Sequence, residues 1–221
     1  MPPPVRAHFD EALTLLADQV TALGVQVSEA VTKSVTALAD HDVELAEAVA
    51  AQETTINAEH DAIEDTCVRL LATEQPVATD LRRILGFMSV SSNLERIGDL
   101  AVHVASVAQR LAAETYVKEL ISIPDMAERV ARMVVDSVQA FRDLDTTAAE
   151  QVSARDNKVD DTYSHVFREL LTYMMENPKT ISQATSLLFV AKQLERCGDH
   201  TTNICESVVF VTTGKHVDLN R

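Results

Sequence analysis

The sequence predicts an all-α protein built as two tandem three-helix bundles, six long helices in all, related by an approximate twofold axis. Three observations point there. Apolar residues recur at steps of three and four through most of the chain, and neither strand alternation nor a Gly-rich phosphate loop occurs. The composition, 46% hydrophobic with no Trp and five Gly, suits helices packed through Ala, Val and Leu rather than a sheet. The chain also repeats itself. Asp40, Asp42, Ala46, Glu47 and Val49 return 103 residues later as Asp143, Asp145, Ala149, Glu150 and Val152. In that register Glu53, Ile56 and Asn57 meet Asp156, Val159 and Asp160. Leu94, Glu95, Arg96, Gly98 and Asp99 return after 100 residues as Leu194, Glu195, Arg196, Gly198 and Asp199. The change of register requires a small length difference, placed at the turns near Pro76 and Pro178. The halves are residues 1–115 and 116–221.

The first helix carries Phe9, Leu13, Leu16, Val20, Leu23 and Val27 in one seam, and Asp40-His41-Asp42 supplies a break and a cap. A second helix is expected over 43–72, burying Leu45, Val49, Ile56, Ile63, Cys67 and Leu70. Gln75-Pro76 restarts the chain, with Pro76 at a first helical position. The third helix then carries Glu95 and Asp99 and fades near Glu114. The second half repeats the plan over 124–144, 146–176 and 178–211, with Asn177-Pro178 as cap and first residue. The link 115–123 is short, so the halves are expected to pack together.

The formal charge of −15 argues against nucleic acid, whose phosphates nothing here neutralises, and against adsorption on anionic lipid. No basic region followed by an apolar stretch marks a targeting signal, and no uncharged apolar run reaches the roughly 20 residues of a membrane span. Cys67, Cys197 and Cys205 lack metal-pair spacing and read as reduced core residues of a cytoplasmic protein.

The chemistry concentrates in Glu95-Arg96-Ile97-Gly98-Asp99 and Glu195-Arg196-Cys197-Gly198-Asp199. Each copy sets two carboxylates four residues apart on one helix face, where like charges cost about 0.2–0.5 kcal/mol. Each adds a mid-helix glycine at about 1 kcal/mol relative to alanine. A bound cation would repay both costs. A tight helix crossing at Gly98 and Gly198 is the plainer reading. Counting away from the turns at about 1.5 Å per residue, Asn57 falls level with Glu95 and Glu53 with Asp99. Asp160 likewise approaches Glu195, and Asp156 approaches Asp199. Glu53, Asn57, His60 and Glu64 form one polar line on the second helix, which alone reads as a solvated face. His103 and Asn203, four residues beyond the aspartates, are weaker candidate ligands. Arg96 and Arg196 read as salt-bridge partners of their neighbouring carboxylates. Such oxygen-rich faces favour Mg²⁺, Mn²⁺, Ca²⁺ or iron, divalent or trivalent, ahead of a closed Zn²⁺ site. A ferritin-like di-iron centre wants Glu and His three apart, and none of the seven histidines has a Glu at that distance before it.

The two acidic pentads, the run Asp199-His200-Thr201-Thr202-Asn203 and the segment Gln75-Pro76-Val77-Ala78-Thr79-Asp80-Leu81-Arg82 resemble the PhoU family of phosphate-uptake regulators over nearly the whole chain. The resemblance implies a cytoplasmic, non-enzymatic protein, peripheral to the membrane, that contacts the ATPase subunit of a phosphate ABC transporter and a phosphate-sensing histidine kinase. It implies restraint of uptake and of starvation signalling when phosphate is plentiful. A homodimer is left open. It also implies metal clusters held by Glu95 and Asp99 with Glu53 and Asn57, and by Glu195 and Asp199 with Asp156 and Asp160. His103 stands where the second copy has Asn203, Cys197 where the first has Ile97, and Asn57 gives the first site one charge fewer than Asp160 gives the second. The alternative of a different class is a carboxylate-bridged metalloenzyme, a phosphatase or oxidase, which needs an open metal position in a shaped cavity. A metal-free helical scaffold is third.

Overall fold

Seven α-helices and one 3-10 turn make up the computed structural model, which describes residues 4–220. They are α1 (Pro4–Asp40), α2 (Val43–Glu74), α3 (Thr79–Leu111), α4 (Ser122–Asp143), α5 (Thr146–Ser153), α6 (Asp156–Glu176) and α7 (Ile181–Thr213), with the 3-10 turn at Pro178–Thr180. The repeat is visible in the caps. Asp42 and Asp145 each accept a hydrogen bond from the backbone N–H three residues on, at Leu45 and Ala148. The residue before each cap, His41 or Leu144, takes a positive φ to end the preceding helix.

Two expected helix boundaries need correction. Pro76 does not open the third helix. Gln75 and Ala78 both adopt positive φ, carrying Pro76 through a four-residue turn, and α3 begins at Thr79. In the second half Asn177 alone lies between α6 and Pro178, accepting from the Lys179 N–H. That three-residue difference is the change in repeat register. The helix expected over 146–176 is interrupted at Ala154 and Arg155, where Arg155 N–H bonds the Val152 carbonyl three residues back and the chain tightens for one turn. Asp156 therefore opens a new helix, while its counterpart Glu53 sits within the continuous α2.

The predicted seam of α1 is buried throughout, as are Val49, Ile56, Ile63, Cys67 and Leu70 of α2; Leu45 is only half-buried and Ala46 takes the inward position. Full burial of a Leu, Val or Ile side chain contributes about 1.5–3 kcal/mol. Helices α1–α3 form one bundle and α4–α7 the other. The bundles share a single core, because α3 packs along α7 and α1 along α4. Polar ties reinforce the joint. Gln183 of α7 donates to Glu114 and to the Thr115 carbonyl and accepts from Val117 N–H, and Arg82 of α3 donates to the Val211 carbonyl. The three cysteines are free and buried, and burial pushes the Cys67 and Cys205 thiols up to about 12. No helix among the described residues is long and apolar enough to cross a membrane.

Candidate metal centre

In the second half the helix interruption sets Asp156 directly against α7. The residue is 7% exposed. Its Oδ2 accepts from the Thr202 hydroxyl at 3.3 Å, while its Oδ1 is buried with no hydrogen-bond partner. Gly198 makes room for it: a Cβ at that position would lie 2.1 Å from Oδ1. The glycine in the motif is therefore a seat for a carboxylate from the facing helix. Asp160 and Asp199 join Asp156 around a cleft of about 70 Å³, whose other walls are Ser153, Asn157, Leu219 and Asn220. Glu195, one turn back along α7, is ion-paired with Lys192, whose ammonium also lies 5.5 Å above the Tyr163 ring.

The charges in this cluster oppose one another. Burial, then the neighbouring Asp160 and Asp199, raises Asp156 to about 7. Burial and then Glu195 raise both Asp160 and Asp199, with Lys192 pulling the other way. An unpartnered buried oxygen, three further carboxylates and a glycine-cut recess form a donor set suited to a hard cation. Asp156, Asp160 and Asp199 share a cleft rather than a common centre, and Glu195 stands beside it on α7. Among the described residues, no three His, Cys, Asp or Glu side chains are gathered closely enough to chelate an ion as they stand.

The first half has the same register with other side chains. His60 of α2 meets Ser91 of α3, Nδ1 to Oγ 2.8 Å, and Ile56 lies opposite Gly98, its side chain 3.2 Å from where a Cβ would be. This is the antiparallel level that the sequence places at Asn57 with Glu95 and Glu53 with Asp99. Asn57 Oδ1 is buried without a partner, and Glu53 is half-buried. Arg96 spans the acidic pair, 3.4 Å from both Glu95 and Asp99. Burial and then Asp99 raise Glu95, moderated by Arg96 and His60. Glu53, Asn57, Glu95 and Asp99 fit a cation by donor type, with one charge fewer and a built-in guanidinium.

The two weaker candidates turn to the seam between α3 and α7. His103 directs its ring toward Phe189, 6.5 Å between centroids, and the Asn203 amide donates to Asn93. Arg196, expected to pair with its neighbouring carboxylates as Arg96 does, donates instead to the Gln193 side chain. Sequence reasoning missed Lys192, Thr202 and the segment around Leu219. Lys192 was findable, since it stands three residues before Glu195 on the same helix face.

The model of the PhoU domain matches twice, over residues 20–108 and 123–208. The phosphate-specific transport system accessory protein PhoU homolog of Caulobacter vibrioides is 39% identical over 214 residues, 96% of this chain and 93% of that protein. The homolog from Clostridium acetobutylicum is 37% identical over 97% of this chain and 99% of its own length. Among solved structures, PhoU from Pseudomonas aeruginosa superposes with a TM-score of 0.90 at 36% identity, covering 94% of this chain and all of that one. The phosphate transport system regulatory protein PhoU from Streptococcus pneumoniae gives 0.88 at 33% identity, covering 95% and 99%. Two acidic repeats on paired helices, two family-domain matches and full-length superposition lead to one conclusion: the chain belongs to the PhoU family.

Proposed function

We propose that this protein is a regulatory accessory of phosphate uptake that acts by contact, restraining a phosphate ABC transporter and a phosphate-sensing histidine kinase when phosphate is abundant. The observation that carries the reading is the match along nearly the whole chain to proteins named for accessory and regulatory roles in phosphate transport. The reading is of a regulator and not an enzyme. A charge of −15 favours docking from the cytoplasm on protein partners over direct adsorption to anionic lipid.

In this reading Asp156, Asp160, Glu195 and Asp199 hold a divalent or trivalent cation in the second half, and Glu53, Asn57, Glu95 and Asp99 hold one less firmly in the first. When bound, such an ion supplies positive charge that offsets carboxylate repulsion. The residues themselves do the structural work: Asp156 and Asp160 stand on α6, and Glu195 and Asp199 on α7, so drawing them onto one ion would fix the spacing of the two helices. Deleting the gene tests the proposal. Starvation-responsive transcription and phosphate uptake should both stay high in phosphate-rich medium, and the purified protein should capture the transporter ATPase subunit or the kinase in detergent. Normal repression together with capture of neither partner sinks it.

A further inference from the structure

Beyond Thr213 the chain does something the repeat does not foretell. Gly214 ends α7 with φ +74°, its N–H bonding the Phe210 carbonyl at 2.8 Å, and residues 215–220 then run back along α7 toward the acidic cleft. Three contacts mark the path. The His216 ring stacks on Phe210, 4.5 Å between centroids and 17° from parallel. The Leu219 N–H donates to the Glu206 carboxylate at 2.9 Å, and the Leu219 carbonyl accepts from the Ser153 hydroxyl at 3.4 Å. The Leu219 side chain packs on the core, and Leu219 and Asn220 complete the wall of the cleft that contains Asp156, Asp160 and Asp199. This segment lies outside the matched domain, which ends at residue 208. The link that follows α3 takes a different course, tied to α7 by Gln183 and to α6 by Lys118 on Glu169.

We propose that residues 215–220 form a strap across the second acidic site that sets how fast a cation enters and leaves it. The inference rests on reading that site as a cation site, for which the buried, unpartnered Oδ1 of Asp156, a residue that lines the strapped cleft, is the independent sign. The strap has a rigid floor in α7 and two release points, the His216–Phe210 stack and the Leu219–Glu206 hydrogen bond. Both release points lie on the strap and its floor and neither is a ligand, so opening it changes access without changing the donor set. Exchange at the second site is therefore gated, whereas exchange at the first depends on its own side chains.

The test uses the full chain carrying Glu95→Gln and Asp99→Asn, so that only the second site reports, loaded with Mn²⁺. Release to an excess of fluorescent chelator is followed by stopped flow, and uptake by the reverse mixing. Glu206→Ala should speed release and uptake about tenfold, the factor associated with one charge-assisted hydrogen bond, and His216→Ala about threefold, the factor associated with one stacked ring pair. Equilibrium affinity should stay within about twofold, since a gate accelerates both directions. The melting temperature of the metal-free protein should fall by no more than the few degrees that one lost contact gives in a chain of this size, which separates gating from a general loosening. Unchanged exchange rates in both variants and in a chain stopped after Gly214 overturn the strap. A parent chain that takes up no Mn²⁺ overturns the cation reading beneath it, and the two failures are told apart by the parent's own trace.

Discussion

In the second half a carboxylate, Asp156, occupies the space beside the motif glycine, whereas in the first half the methyl groups of Ile56 fill it. The same pentad thus serves two kinds of contact. Breaking the fifth long helix at Ala154–Arg155 lets Asp156 drop into the recess over Gly198, where burial and two neighbouring aspartates raise it to about 7. Continuous α2 keeps Glu53 only half-buried and leaves a packed aliphatic contact over Gly98. Charge compensation differs as well. Arg96 bridges both carboxylates of its own motif, while Lys192 pairs with Glu195 and leaves the three aspartates facing one another. Backbone breaks and facing side chains, more than the motif, decide how much electrostatic stress a site stores.

Alanine at the two glycines breaks this comparison most sharply. Gly198→Ala places a methyl 2.1 Å from Asp156 Oδ1, so the buried carboxylate must move; a loss of about 1–3 kcal/mol in stability and at least roughly tenfold in second-site cation affinity is expected. Gly98→Ala meets only Ile56 at 3.2 Å, and the gain in helix propensity of about 1 kcal/mol offsets that contact, giving a near-neutral variant. Urea denaturation and calorimetric titration with Mn²⁺ measure both. Equal losses at the two positions mean the halves are equivalent after all.

A pH series on metal-free protein comes next. The folded chain holds the Asp156 proton up to about 7, against an ordinary value of 3.8. The native state thus binds more protons than the unfolded chain between those values, and stability falls as pH rises through that window. Asp160, Asp199 and Glu95, also raised, add the same sign. The melting temperature should climb as pH is lowered from 8 to 5, and Asp156→Asn should flatten much of that slope. A wild-type melting temperature that falls over this range, or a slope untouched by the substitution, contradicts the account.

Exchanging the charge difference sharpens the comparison at smaller cost. Asn57→Asp adds the missing first-site carboxylate beside an already unpartnered position and should raise first-site affinity for Mn²⁺ about tenfold, because ligand charge tunes such sites. Asp160→Asn should lower second-site affinity by a similar factor. Each should shift the metal-free melting temperature by only a few degrees. Titrations that show no opposed change place the determinant elsewhere.

Much of this was legible in the amino-acid order. The seam of α1, the caps at Asp42 and Asp145 and the opposed levels of α2 with α3 and α6 with α7 all follow from spacing and local hydrogen bonding, which sequence carries directly. The interruption at Ala154–Arg155 was hidden because no Gly or Pro marks it. Its tightened turn sits where Arg155 ion-pairs with Asp136 of α4 and Asp156 settles over Gly198, contacts made only after packing. Pro76 misled because proline suits both a first helical turn and a loop, and positive φ at Gln75 and Ala78 decides between them. His103 and Asn203 share a face with the aspartates by count, yet face a helix whose position the count does not give.

The seam between α3 and α7 has a consequence for the chain's ancestry. The two helices run antiparallel and are copies of each other, the arrangement that a symmetric dimer of two single halves would present. A single half, standing alone, would bare that face of its third helix and need a second copy to cover it. Fusion removed the obligation for both ends of the seam to be identical. At one end Ser89, Asn93, Asn203 and Ser207 leave a groove of about 540 Å³; at the other, Phe189, the counterpart of Ser89, packs toward His103. A true homodimer would have to carry the groove twice or not at all, so joining the copies freed each half to diverge in shape without losing its partner.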